Sequence, residues 1–358
     1  MSLISIVIPV YNASQHLKKC IDSLIIQSYQ NIEIICIDNN SKDNSLNLLH
    51  NFAKLDNRIK IYSNTIPGAS ATRNLGIQKA KGGYIVFVDS DDWVGVDYIK
   101  NLYEGIIKNN SDMCCSVINQ QDKKGNIWNN DWYKYTYMNI EYNKNYNKNY
   151  LLLNIACFPF ESFSKIFKTD VLKNNNILYK TNLIIAEDVD FILQYVNSID
   201  NFTFSIINKD DYFYFYSITT TSYNPQKFLS IFNFLNELEK EYPGNQEYKK
   251  ILINFKVNKI FYYTMPIWEV VAPYSYFKQL KNHIPKKADY KYLTGESIAK
   301  LKKLNKYAKQ PLRYYLKLSL YIRFNIKEDI YIIKYFPKAL ILSFTKLILN
   351  IYAKIMKV

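Results

Sequence analysis

The stretch YIVFVDSDD at residues 84–92 decides the fold class of this chain of 358 residues. An apolar, β-branched run that stops abruptly at acidic residues is typical of a strand buried on both faces of a sheet. Two similar runs precede it, ISIVIPV at 4–10 and IEIICI at 32–37, and segments with helical periodicity lie between them. A short strand at 58–63 and a helix at 71–80 complete the pattern. This alternation predicts a βαβαβ unit with parallel strands and helices on the faces of the sheet.

Polar residues at the carboxyl ends of these strands are the first functional signal. Asp38-Asn39-Asn40-Ser41 follows the second run, and residues 89–92 follow YIVFV. In open α/β sheets, ligands bind in the crevice beyond the carboxyl ends of the strands. Carboxylates two apart on an extended segment can share a hard divalent cation and leave positions open for phosphate oxygens. Asp and Asn also form turns and helix caps, so either cluster alone is a weak indication.

Composition excludes several classes of protein. With 48% hydrophobic residues the chain can bury a sizeable core, and its length fits two domains. Five cysteines without CxxC spacing and three dispersed histidines argue against a disulfide scaffold and a zinc centre. No GxGxxG or P-loop is present, so dehydrogenase and kinase interpretations lack their phosphate-binding loops. A nucleotidyltransferase would need a Gly-rich, basic loop near the N-terminus, where the chain has IPVYNASQ at 8–15.

The basic surplus is confined to the last quarter of the chain. Residues 271–358 hold 19 Lys and Arg against 4 Asp and Glu, which accounts for the whole net charge of +15. After Pro337, lysines return at roughly helical spacing among apolar and aromatic residues, a pattern typical of peripheral binding to an anionic membrane surface. Packing on the rest of the protein and a homo-oligomer contact are the alternatives. No nucleic-acid recognition module accompanies these lysines, so we expect no nucleic-acid partner.

The first twelve residues, MSLISIVIPVYN, contain neither a basic region nor a small-residue cleavage site. We therefore expect no signal peptide and a cytoplasmic protein, peripheral on the inner face of the cytoplasmic membrane. In the middle of the chain, a polar near-repeat at 140–150 predicts a surface loop or insertion. Residues 184–188 open a further helix, and the aromatic run at 212–216 predicts a last strand.

Five segments together resemble the family 2 glycosyltransferases of the GT-A fold, in the order in which that family carries them. They are IVIPVYN at 6–12, IDNNSKDNS at 37–45, ATRNLGI at 71–77, VFVDSDD at 86–92 and Glu187-Asp188. The resemblance covers about residues 3–220 and is to bacterial members that build lipooligosaccharide, capsule or other surface glycans. It implies an α/β fold of the nucleotide-diphospho-sugar transferase type, a Rossmann-like mixed sheet flanked by helices, over residues 1–222. A helical, basic C-terminal region would occupy residues 223–358.

The resemblance also implies an activity: inverting transfer of a hexose or N-acetylhexosamine from a UDP-sugar to a hydroxyl of a glycan or glycolipid acceptor. Asp188 would be the general base, with Glu187 as its neighbour or substitute, and Asp91 of the DXD motif would bind Mn²⁺ or Mg²⁺. The residues expected to bind the donor are Pro9, Tyr11, Asn12, Asp38, Asn39, Arg73, Asp89, Ser90, Asp92 and Lys165.

Several of these residues have individual roles by the same resemblance. Tyr11 would stack on the base, and Asp38 would accept hydrogen bonds from the base or ribose. Arg73 would contact the nucleotide or its diphosphate, Asp89 would lie near the ribose, and Asp92 would support the metal or hold the donor sugar.

Two positions leave alternatives open. Relatives usually carry a second acidic residue where this chain has Asn39, although an Asn carbonyl can still accept from the uracil N3–H. Lys165 would contact phosphate or an acidic acceptor, or else be a solvated surface lysine.

An alternative function is a non-catalytic relative that binds a nucleotide-sugar or a partner enzyme at the membrane. Asn39 is the only residue that favours it, because the acidic set is otherwise intact. Without the resemblance, Glu187 and Asp188 would be read as an ordinary acidic first helical turn, which the helix dipole favours.

Overall fold

The computed structural model describes residues 1–121, 126–128, 141–148, 151, 160–183 and 187–215. Helices and strands alternate as far as residue 87, as the sequence predicts, and a short strand and a helix follow. They are β1 (Ile4–Val10), α1 (Leu17–Ile25), β2 (Ile32–Asp38), α2 (Ser45–Leu55), β3 (Ile59–Ser63), α3 (Ala69–Lys79), β4 (Tyr84–Phe87), β5 (Trp93–Val94) and α4 (Tyr98–Lys108). Helix α3 begins two residues earlier than predicted. Gly68, with φ of 110°, supplies the backbone conformation that leads directly into its first turn.

The later elements combine short strands with two helices. They are β6 (Met113–Gln121), β7 (Ile127–Trp128), β8 (Asn145–Asn147), β9 (Lys165–Lys168), α5 (Thr169–Asn174), α6 (Glu187–Asn197) and β10 (Thr203–Phe215). The sequence predicts a surface loop or insertion at 140–150. Residues 141–148 are mostly exposed, and three of them form β8, which pairs antiparallel with the first three residues of β10. The aromatic run at 212–215 is the end of a strand of 13 residues.

The described strands form one mixed sheet in the order β3-β2-β1-β4-β9-β6-β10-β5, with β7 beside β6 and β8 beside β10. Strand β1 pairs in parallel with β2 on one side and with β4 on the other. The strand order therefore reverses between β1 and β4, and a crevice forms beyond the carboxyl ends of strands at such a reversal. The register pairs Val10 with Asp38 and Val7 with Phe87, so the polar segments after β2 and β4 lie at the same edge.

The other half of the sheet holds the segment that follows the acidic turn. Strand β9 runs antiparallel between β4 and β6, and β10 runs parallel to β6 with a shift in register between Ile207 and Tyr212. Strand β5, which begins directly after Asp92, pairs antiparallel with β10. The rings of Trp93 and Phe213 stack across this pair, with centroids 3.6 Å apart and planes at 1°. The residues on both sides of the acidic turn are thus anchored in the sheet.

An aromatic cluster holds α6 against the sheet. Phe87, Phe167, Tyr179 and Phe191 are all buried, and the rings of Tyr179 and Phe191 stack at 4.1 Å. Phe87 and Phe167 each meet Phe191 edge-on. Aromatic side chains bury roughly 150–250 Å² each, among the largest areas that single residues contribute to a core. This packing fixes the start of α6 relative to β4.

Parts of the predicted domain organisation cannot be compared with the structure. The boundary at residue 222, the basic region 223–358 and the amphipathic helix after Pro337 lie outside the described residues. Within the described ranges, none of the helices has both the length and the apolar character needed to cross a membrane.

Candidate active site

A cleft of about 720 Å³ lies where β1, β2, β3 and β4 end. A concave site of this volume is of the size that holds a small ligand or cofactor. Eight of the thirteen predicted site residues line it, namely Pro9, Tyr11, Asn12, Asn39, Arg73, Asp89, Ser90 and Asp91. The other five, Asp38, Asp92, Lys165, Glu187 and Asp188, are not part of its lining.

Hydrogen bonds from side chains fix the two loops that form one wall of the cleft. Asn12, in a left-handed conformation with φ of 48°, accepts a hydrogen bond from the N–H of Lys42 at 2.7 Å. The Asp43 carboxylate accepts from the N–H groups of Ser14 at 2.9 Å and Ser45 at 3.0 Å. Partial desolvation raises the pKa of Asp43, but the hydrogen bonds from Ser45 and Ser14 outweigh it and hold the pKa below its usual range. The loops after β1 and β2 are therefore pre-organised.

Asp38 and Asn39 face different environments. With its amide oriented to satisfy its hydrogen bonds, Asn39 donates to the carbonyl of Ile66 at 3.1 Å and accepts from the N–H of Gly68 at 3.0 Å. Asp38 accepts from the N–H of Ser41 at 3.3 Å through Oδ2, whereas its buried Oδ1 has no hydrogen-bond partner in the described part of the chain. Asn39 is thus hydrogen-bonded to the loop after β3, whereas one carboxylate oxygen of Asp38 is available to accept a hydrogen bond.

Arg73 pairs with the first carboxylate of the acidic turn. Its Nη2 donates to Oδ1 of Asp89 at 2.7 Å, and its guanidinium lies 5.5 Å from the centroid of the Tyr179 ring. Burial alone would lower the pKa of Arg73, but the charges of Asp89 and Asp188 raise it above its usual value. Arg73 therefore stays charged, orients Asp89 through its hydrogen bond, and interacts with the charges of both Asp89 and Asp188.

Asp91, like Asp89, is partly exposed and lines the cleft. Burial, and next the charge of Asp89, raise the pKa of Asp91 to about 6. A desolvated carboxylate beside a second one gains stability from any cation that approaches it.

The donor set at the turn fits a hard divalent cation. Mg²⁺ and related ions are usually held by one or two carboxylates together with substrate phosphates and water. Asp91, with Asp89 beside it, offers such oxygen ligands at the cleft. In the described part of the chain there is no cluster of three or more His, Cys, Asp or Glu side chains that could hold a metal. A cation at this turn would therefore need ligands from the substrate.

Asp92 differs from its neighbours because its carboxylate is turned into the protein. The residue is 1% exposed. Its Oδ2 accepts from the hydroxyl of Tyr212 at 2.5 Å, and its Oδ1 accepts from the N–H of Phe215 at 2.7 Å. Burial, followed by the charges of Asp89 and Asp91, raises the pKa of Asp92 well above its usual value. Asp92 connects the acidic turn to β10 and does not face the cleft.

Asp188 lies in the first turn of α6, where the aromatic cluster holds it near Arg73. Burial raises the pKa of Asp188, although the Arg73 charge acts in the opposite direction. Its Oδ1 is buried and has no hydrogen-bond partner among the residues that the structure describes. A carboxylate with a raised pKa and a spare acceptor oxygen has the properties of a general base. Glu187, directly before it, is partly buried at the start of the helix.

Lys165 is fully buried, so the alternative of a solvated surface lysine was wrong. Its ammonium donates to the carbonyl oxygen of Glu161 at 2.6 Å, with a longer contact to that of Phe163 at 3.5 Å. The side chain starts β9, the strand between β4 and β6, and its charge lowers the pKa of Asp188. Lys165 is therefore an interior residue that does not line the cleft.

The cleft also contains residues that the sequence pattern did not single out. They are Val10, Ala13, His16, Asn40, Lys42, Thr65, Pro67, Gly68, Ala69 and Thr72. Half of these belong to the segment 65–72 after β3. The Pro67-Gly68 dipeptide was the available signal, because it marks a turn at the carboxyl end of a predicted strand. The His16 ring packs against Phe215 at 4.4 Å, a contact that no local pattern indicates.

Comparison with known proteins shows which family this chain resembles. Residues 5–172 match the model described as "Glycosyl transferase family 2". "Glycosyltransferase GlyA" of Streptococcus pneumoniae serotype 4 is 41% identical over 110 residues, which cover 31% of this chain and 16% of that protein. "Poly(ribitol-phosphate) beta-glucosyltransferase" of Bacillus spizizenii is 32% identical over 194 residues, covering 53% of this chain and 29% of that protein. The chain thus spans less than a third of the length of either relative.

A solved structure confirms the fold class. The crystal structure of S. aureus TarS 1-349 in complex with UDP superposes with a TM-score of 0.63 at 17% identity. The alignment covers 87% of this chain and 91% of that one. The predicted GT-A fold, a mixed sheet flanked by helices, is therefore confirmed.

Proposed function

Because residues 5–172 match the model of glycosyl transferase family 2, we propose that this chain is an inverting glycosyltransferase that uses a UDP-sugar. It would transfer a hexose or N-acetylhexosamine to a hydroxyl of a bacterial surface glycan, such as lipooligosaccharide, capsule or a lipid-linked oligosaccharide. The observation that carries this proposal is the convergence of Asp89, Asp91 and Arg73 at the cleft, with Asp188 within electrostatic reach of Arg73. The names of two compared proteins support the class, since one acts on poly(ribitol-phosphate) and the other binds UDP.

Donor binding would use the pre-organised wall of the cleft. Tyr11 is 61% exposed on the lining, so its ring is free to stack on a nucleobase. The unpartnered Oδ1 of Asp38 would accept a hydrogen bond from the base or ribose. Asn39 would act indirectly here, by holding the loop of Ile66 and Gly68 in place. Lys42, on the same wall, would meet the negative charge of the diphosphate.

Asp91 would hold Mn²⁺ or Mg²⁺ together with diphosphate oxygens of the donor. Such a cation, when bound, neutralises charge that develops on the departing diphosphate. Arg73 contributes a fixed positive charge at the same place and keeps Asp89 oriented through its hydrogen bond. Both effects stabilise the transition state more than the ground state, which is the requirement for catalysis.

Asp188 would take the proton from the attacking hydroxyl of the acceptor. The acceptor oxygen forms the new bond to the anomeric carbon while the bond from that carbon to the diphosphate oxygen breaks. The proton passes to Oδ1 of Asp188, which is buried and accepts no hydrogen bond from the described residues, and the electron pair leaves with the diphosphate. A single displacement of this kind inverts the anomeric configuration. The raised pKa of Asp188 makes the carboxylate a stronger base than one in water.

The proposed acceptor would also account for the basic last quarter of the chain, as a region that binds the membrane surface. Residues 271–358 carry the entire positive surplus, and lipid-linked acceptors lie at an anionic membrane surface. Peripheral membrane association and a homo-oligomer contact remain predictions for this region.

Calorimetric titration with UDP, GDP, dTDP and CMP, each with and without Mn²⁺, tests the donor site. We expect UDP to bind in a metal-dependent manner and this binding to disappear in Asp91→Ala, whereas Asp22→Asn on the outer face of α1 should bind normally. Equal UDP binding with and without Mn²⁺, or no UDP binding at all, would contradict the proposal and favour a non-catalytic relative.

A transfer assay with the full chain and UDP-sugars tests the base. Asp188→Asn should bind UDP with unchanged affinity and lose transfer by at least a hundredfold. Near-normal transfer by Asp188→Asn would overturn the assignment of the base, and Glu187→Gln would then be the variant expected to lose activity.

A further inference from the structure

The buried hydroxyl of Tyr212 touches both ends of the acidic turn. It donates to Oδ2 of Asp92 at 2.5 Å and accepts from the N–H of Asp89 at 3.3 Å. The turn itself is closed by the N–H of Asp92, which donates to the carbonyl of Asp89 at 3.1 Å. One side chain of β10 therefore holds the first and the fourth residue of a four-residue turn. Asp91 lies between these two fixed points.

We propose that Tyr212 is a positioning residue which fixes the direction of the Asp91 carboxylate, and so the geometry of the cation site. The inference rests on the function proposed above, because it concerns the same site. Tyr212 does not line the cleft, so it would act only through the turn.

The packing around Tyr212 leaves its ring little freedom. The residue is fully buried, and the Phe163 ring stacks on it at 4.8 Å with planes at 9°. Tyr98 packs against it at a centroid distance of 5.7 Å. Because stacking determines where the ring lies, the hydroxyl has a fixed position relative to β10. A group used for positioning needs this rigidity, since a supporting residue that moves cannot hold its partner.

The energetics of Asp92 indicate a purpose beyond stability. A buried carboxylate beside two others is unfavourable, because burial and the neighbouring charges of Asp89 and Asp91 both oppose its ionised form. Two hydrogen bonds, from Tyr212 and from the N–H of Phe215, offset part of this penalty. An apolar residue would fill the same space at lower free energy but could not bond to the strand. A carboxylate at position 92 is therefore explained if its function is to hold the acidic turn against β10.

The decisive variant is Tyr212→Phe, which removes the hydroxyl and keeps the ring. Metal-dependent UDP affinity should fall about tenfold, while UDP affinity without metal should stay within about twofold. The matched control is Tyr98→Phe, a neighbouring buried tyrosine with no hydrogen bond to the turn in the described structure, and it should bind as the unmodified chain does. In transfer assays, Tyr212→Phe should lower kcat and leave the KM for the acceptor unchanged.

The outcomes separate this inference from the proposed function. If the unmodified chain shows no metal-dependent UDP binding, the proposed function and the inference both fail. If the unmodified chain binds and Tyr212→Phe binds equally well, only the inference fails.

Asp92→Asn gives a second test should Tyr212→Phe not fold, which a thermal transition would reveal. The Asn carbonyl can still accept from Phe215, so this variant should fold and lose less metal-dependent affinity than Asp92→Ala. Equal and complete loss in both Asp92 variants would make Asp92 a direct ligand and overturn the positioning role.

Discussion

Replacing Asp91 with Asn should stabilise the protein at neutral pH, although Asp91 is the proposed metal ligand. In the folded chain, burial and the charge of Asp89 raise the pKa of Asp91 to about 6, against an ordinary value of 3.8. A carboxyl group with a raised folded pKa binds its proton more tightly in the folded state. Ionisation therefore opposes folding above pH 6, and this penalty fades as the pH falls towards 4. Asn keeps the shape of the side chain and removes the charge.

The size of the effect follows from the same pKa values. A shift of about two units at 1.36 kcal/mol each corresponds to about 3 kcal/mol at pH 7.5 and about 1 kcal/mol at pH 4.5. Partial exposure of Asp91 to solvent reduces both figures, so about 1–2 kcal/mol is expected at pH 7.5. Because 1 kcal/mol moves the thermal midpoint by about 2–4 °C in a domain of this size, Tm should rise by roughly 4 °C.

The assay is thermal unfolding of the metal-free protein at pH 7.5 and pH 4.5. Asp43→Asn is the matched control with the opposite sign, because hydrogen bonds from Ser14 and Ser45 hold the pKa of Asp43 below its usual range. Its Tm should fall at pH 7.5. Adding UDP with Mn²⁺ should raise the Tm of the unmodified chain but not that of Asp91→Asn. An Asp91→Asn variant no more stable than the unmodified chain at pH 7.5 would refute the reasoning.

Two further predictions concern α3, the helix that carries Arg73. Gly76→Ala should lower the free energy of unfolding by about 1–3 kcal/mol, because a Cβ there would lie 2.2 Å from Cγ1 of Val7 on β1. In the control Gly83→Ala, the added Cβ would lie 3.8 Å from its nearest neighbouring atom, so the free energy of unfolding measured in urea should change little. Asn74→Ala removes two hydrogen bonds of 2.8 Å to the backbone of Tyr179. The free energy of unfolding should therefore fall by about 1–3 kcal/mol, and the rate of UDP-sugar transfer should fall as well. Unchanged denaturation midpoints in either variant would contradict the packing described.

The first half of the fold could be predicted from sequence because its signals are local. The runs at 4–10 and 84–88 are apolar and β-branched, and each ends at residues that cannot continue a buried strand. Parallel strands of this kind must join through helices, so their carboxyl ends meet at one edge and the acidic turns come together there. This general rule is enough to bring Asp89 and Asp91 into a common cleft.

The connections across the site could not be predicted in this way. Nothing near Asp92 in the sequence distinguishes it from Asp91, yet one faces Tyr212 in the interior and the other faces the cleft. The difference arises from pairing between β5 and β10, which are far apart in the chain. Lys165 was similarly ambiguous, because burial of a lysine depends on which carbonyl oxygens the fold brings to its ammonium. Side chains that are satisfied by distant backbone leave no local pattern.

The distance along the chain between Asp92 and Tyr212 has a consequence for how the protein acquires its site during synthesis. The four parallel strands and the acidic turn emerge first, but the hydroxyl that holds the turn comes 120 residues later, after the helix of Asp188. Contacts of such separation form late, since closing a long loop is entropically unfavourable until other contacts support it. A nascent chain that ends at residue 172, where the family model ends, already has every strand from β1 to β9 but neither Asp188 nor Tyr212. The segment that matches the family model is therefore shorter than the segment that builds the proposed site, because Asp188 and Tyr212 both follow residue 172.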